Sequence, residues 1–246
     1  MMGSALSSFL NQETSGYLVP LWLFIGLLLH PIGSLVLLPP APASVTSSAF
    51  RQWKWQSTYL ERIASALTGI WATAAIYTSS EMRDDLMFTL SSSAECLVAF
   101  SIGVHLAEAV NMVRHLELCK LLIHHVFVIL CFTGALFTRT AGGFAVLSLT
   151  TEVQMVFHKT RRIHIMAGLD RASKKFQLNA RINLVTFATR VVILSWMNYQ
   201  SVLYIGILPL AFHLTCSFGL LFVNFWSVSI FYQLVVADLV KKTKSH

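Results

Sequence analysis

LLIHHVFVILCFTGALF, running from Leu121 to Phe137, sets two adjacent histidines, His124 and His125, inside an otherwise apolar run. The run approaches the roughly 20 apolar residues that cross a bilayer as a helix. Neighbours on a helix project about 100° apart, so both rings cannot face lipid cheaply. Polar side chains at membrane depth face a bundle interior or a wet cavity. The stretch therefore predicts a membrane helix whose histidines are turned inward.

The rest of the chain agrees with a membrane class. Of 246 residues, 55% are hydrophobic and only 12% charged, against about 25% charged in a soluble domain. No alternating ten-residue segments of the outer-membrane barrel type occur. The fold class is all-α, a polytopic transmembrane helical bundle. Cys96, Cys119, Cys131 and Cys216 lie in or beside apolar runs without metal-type spacing, and read as small apolar filling.

Seven spans are expected, at about 18–38, 58–80, 86–111, 119–138, 141–158, 183–205 and 208–236. Pro39, Pro40 and Pro42 make a stiff exit from the first, and Pro209 separates the last two. The first span is expected to be a retained helix, not a cleaved signal. The net charge of +7 reads as topology and not as a nucleic-acid surface. Fourteen of the 18 basic residues fall in the loops after spans one, three and five and in the C-terminal tail. Arg83 and Arg139 lie on the other side, and Arg62 and Arg190 within spans. This asymmetry predicts an N-out, C-in chain. The basic segment from Lys159 to Arg181 is expected to be a cytosolic anchoring loop.

The topology places several ionisable residues at similar depth. Span three carries His105, Glu108 and Asn111 at i, i+3 spacing, near one face. Span five carries Glu152, span six Arg190 and span seven Asn224. A polar cavity in the cytosolic half, lined by His105, Glu108, Asn111, His124, His125, Glu152, Arg190 and Asn224, accounts for all of them at once. Arg190 is expected to pair with Glu108 or Glu152, lowering the cost of burial. Taken singly, each histidine could merely bond a neighbouring helix, and Asn224 reads as interhelical glue. Glu95 is expected near mid-membrane beside Ser91, Ser92 and Ser93.

The HExxH, nucleotide-loop and GxSxG patterns do not occur. No cofactor and no metal site are expected, because side chains adjacent on one helix diverge. Any catalysis would be acid–base or nucleophilic work by His124 or His125 with Glu108, on an acyl substrate dissolved in the membrane.

Several motifs resemble those of a known family. They are Arg51-Gln52-Trp53-Lys54-Trp55, Gly69-Ile70-Trp71-Ala72, the acidic turn Glu81-Met82 with Asp84-Asp85, Gly103 to Met112, and Leu122-Ile123-His124-His125-Val126. Glu152, Phe157 and Arg161 follow, then Asn183 to Phe187 with Arg190, and Asn224 with Trp226. Their order and spacing resemble the TLC-domain family of lipid-related membrane proteins, which includes ceramide synthases. Within it they resemble the subgroup of TLC domain-containing proteins 1 and 2, calfacilitin and nematode membrane-fluidity proteins. The resemblance implies an N-terminal span and linker at 1–49, a TLC-like domain at 50–236 and a basic cytosolic tail at 237–246. The chain departs from the family at Ala64, where a histidine is common, and at Glu108 and Asn111, where two aspartates are usual.

The resemblance implies a regulator of membrane phospholipid composition and fluidity that limits incorporation of long-chain polyunsaturated acyl groups. Its alternative is a ceramide-synthase-like acyltransferase using acyl-CoA. A weaker third is an accessory protein acting on a channel or lipid enzyme. The partners implied are membrane lipids and, in the second case, acyl-CoA. The subgroup implies the plasma membrane. The tail Lys242-Thr243-Lys244-Ser245-His246 looks like an endoplasmic-reticulum retrieval signal.

Overall fold

The computed structural model describes residues 2–114 and 119–240, which form ten α-helices and a π-helical turn, with no strand among them. The helices are α1 (Met2–Val36), α2 (Ala43–Thr46), α3 (Ala49–Thr78), α4 (Ser80–Asp84) and α5 (Ser92–Arg114). They continue with α6 (Cys119–Thr138), α7 (Gly142–Thr150), α8 (Glu152–Met166), α9 (Lys174–Leu203) and α10 (Leu210–Val235), and the π turn is Val236–Val240. The protein is an all-α polytopic bundle.

Five helices, α1, α5, α6, α9 and α10, are long and apolar enough to cross a membrane. The expected second and fifth spans differ from these. The second is α3, whose 30 residues extend about 45 Å, but its first half carries Arg51, Lys54, Glu61 and Arg62. The fifth is two helices, α7 and α8, meeting at Thr151. At that break the Thr150 and Thr151 hydroxyls donate to the carbonyls of Leu147 and Ser148. Both segments tolerate polar residues because those residues face protein. Ser57, Glu61 and Ser65 of α3 and Gln154, Lys159 and Arg161 of α8 are all buried.

The core is built from small residues. Ala72, Ala75, Ala94, Ala135 and Ala145 are buried with Leu97, Val98 and Val146 where α3, α5, α6 and α7 meet. Without a hydrophobic drive between helices in lipid, close backbone approach supplies the packing energy. The tightest approach is between α1 and α5. A Cβ on Gly26 would strike the Phe100 carbonyl, and one on Gly103 would strike the Leu23 carbonyl. Large apolar side chains such as Phe24, Ile70, Val192, Leu214 and Phe225 remain on the outer surface, as suits a chain solvated by acyl tails.

Two boundaries and one loop depart from expectation. Span three starts at Ser92, after a turn in which Asp85 accepts hydrogen bonds from the backbone of Met87 and Phe88. Glu95 therefore sits in the first helical turn of α5, not at mid-membrane, and lies 3.6 Å from Arg139. Span six starts at Lys174, capped by Ser173, which leaves Arg190 just past the middle of α9. The expected basic loop is also mostly helix. Lys159 is buried and pairs with Glu61, while Arg161 bonds Asp238 of the π turn at 2.8 and 2.5 Å. Arg171, Lys174 and Lys175 remain exposed there. They make this face the basic end of the bundle. The tail motif at Lys242 and Lys244 lies outside the described residues.

Candidate functional site

His124 and His125 share one helix and face different surroundings, as the 100° offset requires. His124 lines a cavity of about 170 Å³ enclosed mainly by α6, α7, α9 and α10. His125 is not on that wall. It is 4% exposed and turns toward α5, where its Nδ1 lies 3.0 Å from Nδ1 of His105. Its Nε2 stands 3.6 Å from Oε2 of Glu108 and makes no hydrogen bond. Glu108 Oε2 is also 3.7 Å from His105 Nδ1. His105, one turn before Glu108 on α5, belongs both to this cluster and to the cavity wall.

Glu152 and Arg190 complete the polar part of the cavity wall. Of the two pairings expected for Arg190, the fold makes the one with Glu152, at 3.8 Å. Arg190 Nε also donates to the Ser227 hydroxyl at 3.3 Å, and Nη1 to the Thr151 carbonyl at 3.4 Å. Glu152 Oε2 accepts a shorter bond, 2.7 Å, from Ser65 of α3. The break between α7 and α8 thus performs two tasks. It presents the Thr151 carbonyl, which also accepts from the Gln154 backbone at 3.2 Å, and starts α8 with Glu152, and both meet the same guanidinium.

The remaining wall is apolar, with Val128, Phe132, Phe144, Leu194, Met197 and Phe212. It runs to Met87, Ala141, Tyr204 and Leu208, which belong to the loops opposite the basic end. The lining thus extends from the ionisable residues to the loops opposite the basic end. A second polar group lies along it. Ser217 is 2.5 Å from Ser201 and 3.3 Å from His213 Nε2. Sequence reading missed this triad, although the i, i+4 spacing of His213 and Ser217 was available as a signal.

Besides His125 and Glu108, two further expected site residues are not on this wall. Asn111 accepts a hydrogen bond from Trp53 Nε1 and contacts His30 Nε2, both at 3.2 Å, tying α5 to α3 and α1. Asn224 donates to Ser195 at 3.2 Å, joining α10 to α9.

The TLC domain matches residues 54–236. The chain belongs to the TLC-domain family. It is 32% identical over 209 residues to TLC domain-containing protein 2 of Danio rerio, covering 83% of each chain. It is 27% identical over 172 residues to TLC domain-containing protein 1 of Gallus gallus, covering 68% of each. No solved structure matches it.

Within the TLC domain, several motif residues are packing devices. Trp71 donates to Ser93 at 2.9 Å, and Gly69 lets the Val153 backbone approach α3. Asn183 is fully buried and accepts from Gln154. Outside the matched residues, α1 still holds His30 against Asn111. Beyond the expected fifth span, burial pushes His164 below the ordinary imidazole range, and Lys175 and Arg62 add to the effect. Chemically, the cavity offers an imidazole and a guanidinium at one end of an apolar chamber, which suits an amphiphile with an anionic or carbonyl-bearing group.

Proposed function

We propose that this TLC-domain protein regulates membrane phospholipid composition and fluidity by limiting incorporation of long-chain polyunsaturated acyl chains into phospholipids. The observation that carries the reading is the amphipathic cavity. Apolar walls from Val128 to Phe212 lead to His124, Glu152 and Arg190, matching an acyl chain with a polar end. Arg190, with long hydrogen bonds to Ser227 and Thr151, retains donor capacity for a lipid oxygen. The family resemblance supports the same lipid class. The proposed location is the plasma membrane, with the endoplasmic reticulum as the alternative.

A second reading, an acyltransferase using acyl-CoA, is favoured by His124 lying on the cavity wall. His124 would then be the catalytic residue, acting as base or nucleophile on the acyl group. His125 and Glu108, behind it, would be positioning residues.

Lipid profiling of cells lacking the protein tests both. Loss is expected to raise the polyunsaturated share of phospholipids. Wild type should restore it, and His124→Ala at equal abundance should not. An unchanged acyl profile after loss would remove the regulator reading. Acyl transfer by purified protein in defined lipid, abolished in His124→Ala, would establish the enzyme instead.

A further inference from the structure

We propose that His105, Glu108 and His125 form a binding site for a divalent transition-metal ion, of the zinc or ferrous class, in the membrane interior. The site stands independently of the lipid reading, since it rests on the cluster between α5 and α6 and not on the cavity.

Among the described residues, these three make a group of potential ligands whose donor atoms all lie within 4.8 Å of one another. Two imidazoles and one carboxylate are a donor set used for zinc with an open fourth position and for non-haem ferrous iron. The spacing fits as well. Donor atoms about 2.1 Å from a tetrahedral zinc stand about 3.4 Å apart. Glu108 Oε2 stands 3.7 Å from Nδ1 of His105 and 3.6 Å from Nε2 of His125.

The second observation is the state of His125. Its side chain is 5% exposed, and its Nε2 is buried without a hydrogen bond while directed at a carboxylate oxygen. A buried polar atom without a partner costs about 1–3 kcal/mol. If His125 Nδ1 donates to His105, then Nε2 is a bare lone pair facing an anionic oxygen. A cation between these two acceptors turns that repulsion into coordination. If the proton runs the other way, Nε2–H faces Glu108 from beyond hydrogen-bond range, so neither tautomer satisfies the group internally.

Helix spacing explains why the ligands converge. His105 and Glu108 are i, i+3 on α5 and so lie on one face. His125 is turned to that face while its neighbour His124 takes the cavity. The two rings of the double-histidine motif therefore divide the work. One faces the apolar chamber, and the other helps build an ion site one side chain behind it, with His105 common to both.

The test uses full-length, tag-free protein in nanodiscs, loaded with Zn²⁺ or, anaerobically, Fe²⁺, then dialysed against metal-free buffer. Elemental analysis is expected to find about one retained ion per chain. Glu108→Gln and His125→Asn should each lower affinity at least about tenfold. His164→Gln, a buried histidine at the basic end, should leave it unchanged. Retention of neither ion by wild type, or equal retention in Glu108→Gln and His125→Asn, overturns the proposal. If both variants fail to fold, X-ray absorption on loaded wild type decides. A first shell with two imidazoles supports the site, and one without imidazole overturns it. The lipid profile enters none of these readouts, so the site and the proposed function fail separately.

Discussion

At the basic end of the bundle, Lys159 meets Glu61 directly, and Arg161 grips Asp238 with two bonds at 2.8 and 2.5 Å. Around the cavity and the histidine cluster, the corresponding ionic contacts are 3.6 to 3.8 Å long. Both groups are buried in one helical bundle, yet the first is closed and the second is open. Closed pairs consume each other's hydrogen-bonding capacity and clasp α3 to α8 and α8 to the π turn. Open ones leave donors and acceptors for something else. Buried charges of the first kind hold helices together, whereas those of the second kind are the ones proposed above to receive a ligand.

The largest expected effect breaks the closed set. Glu61→Gln leaves Lys159 buried without its counter-charge, which should cost about 3–5 kcal/mol, read as thermal unfolding in detergent. Adding Lys159→Met should recover most of that loss, because the orphaned charge is removed. A single variant as stable as wild type would end the distinction between closed and open pairs.

A weaker prediction concerns neutral polar links. Asn224→Ala removes one bond to Ser195 and should cost only about 0.6 kcal/mol, the usual scale for polar contacts between membrane helices. A loss on the scale of the Glu61 variant would place Asn224 among the structural clasps instead.

The smallest effect is expected at His164. Its folded-state pKa lies below the ordinary 6.5, so the unfolded chain takes up a proton that the folded chain refuses. Stability is then level above about pH 6.5 and falls as pH drops below it. His164→Gln should flatten unfolding curves measured between about pH 8 and 5. An equal acid slope in the variant would assign the sensitivity elsewhere.

Much of the site was legible in the sequence because polar residues in apolar helices are rare. His105, His124, Glu152 and Arg190 were expected together and do line one cavity. Their partners were harder to read. Ser65, Thr151 and Ser227 are small polar residues of the kind that occur throughout membrane helices, and only contact distinguishes them. Glu61 and Lys159 were hidden because their helices carry charge near an expected membrane boundary, where charged residues are ordinary. The break at Thr151 escaped notice because no glycine or proline marks it.

The sequence by itself determined the class of this protein. Apolar length, scarce charge and the uneven placement of Lys and Arg leave a polytopic helical bundle as the economical arrangement, since backbone groups in lipid must be satisfied within each segment. The 100° offset also required His124 and His125 to face different surroundings. Only the tertiary structure decided which ring faced the cavity, which carboxylate met Arg190, and at which end charges were closed. Those outcomes depend on helix rotation and depth, set by close crossings such as Gly26 on Gly103, and local sequence carries no direct record of them. The opening stretch thus contains one histidine on the chamber wall and one turned toward His105 and Glu108 behind it.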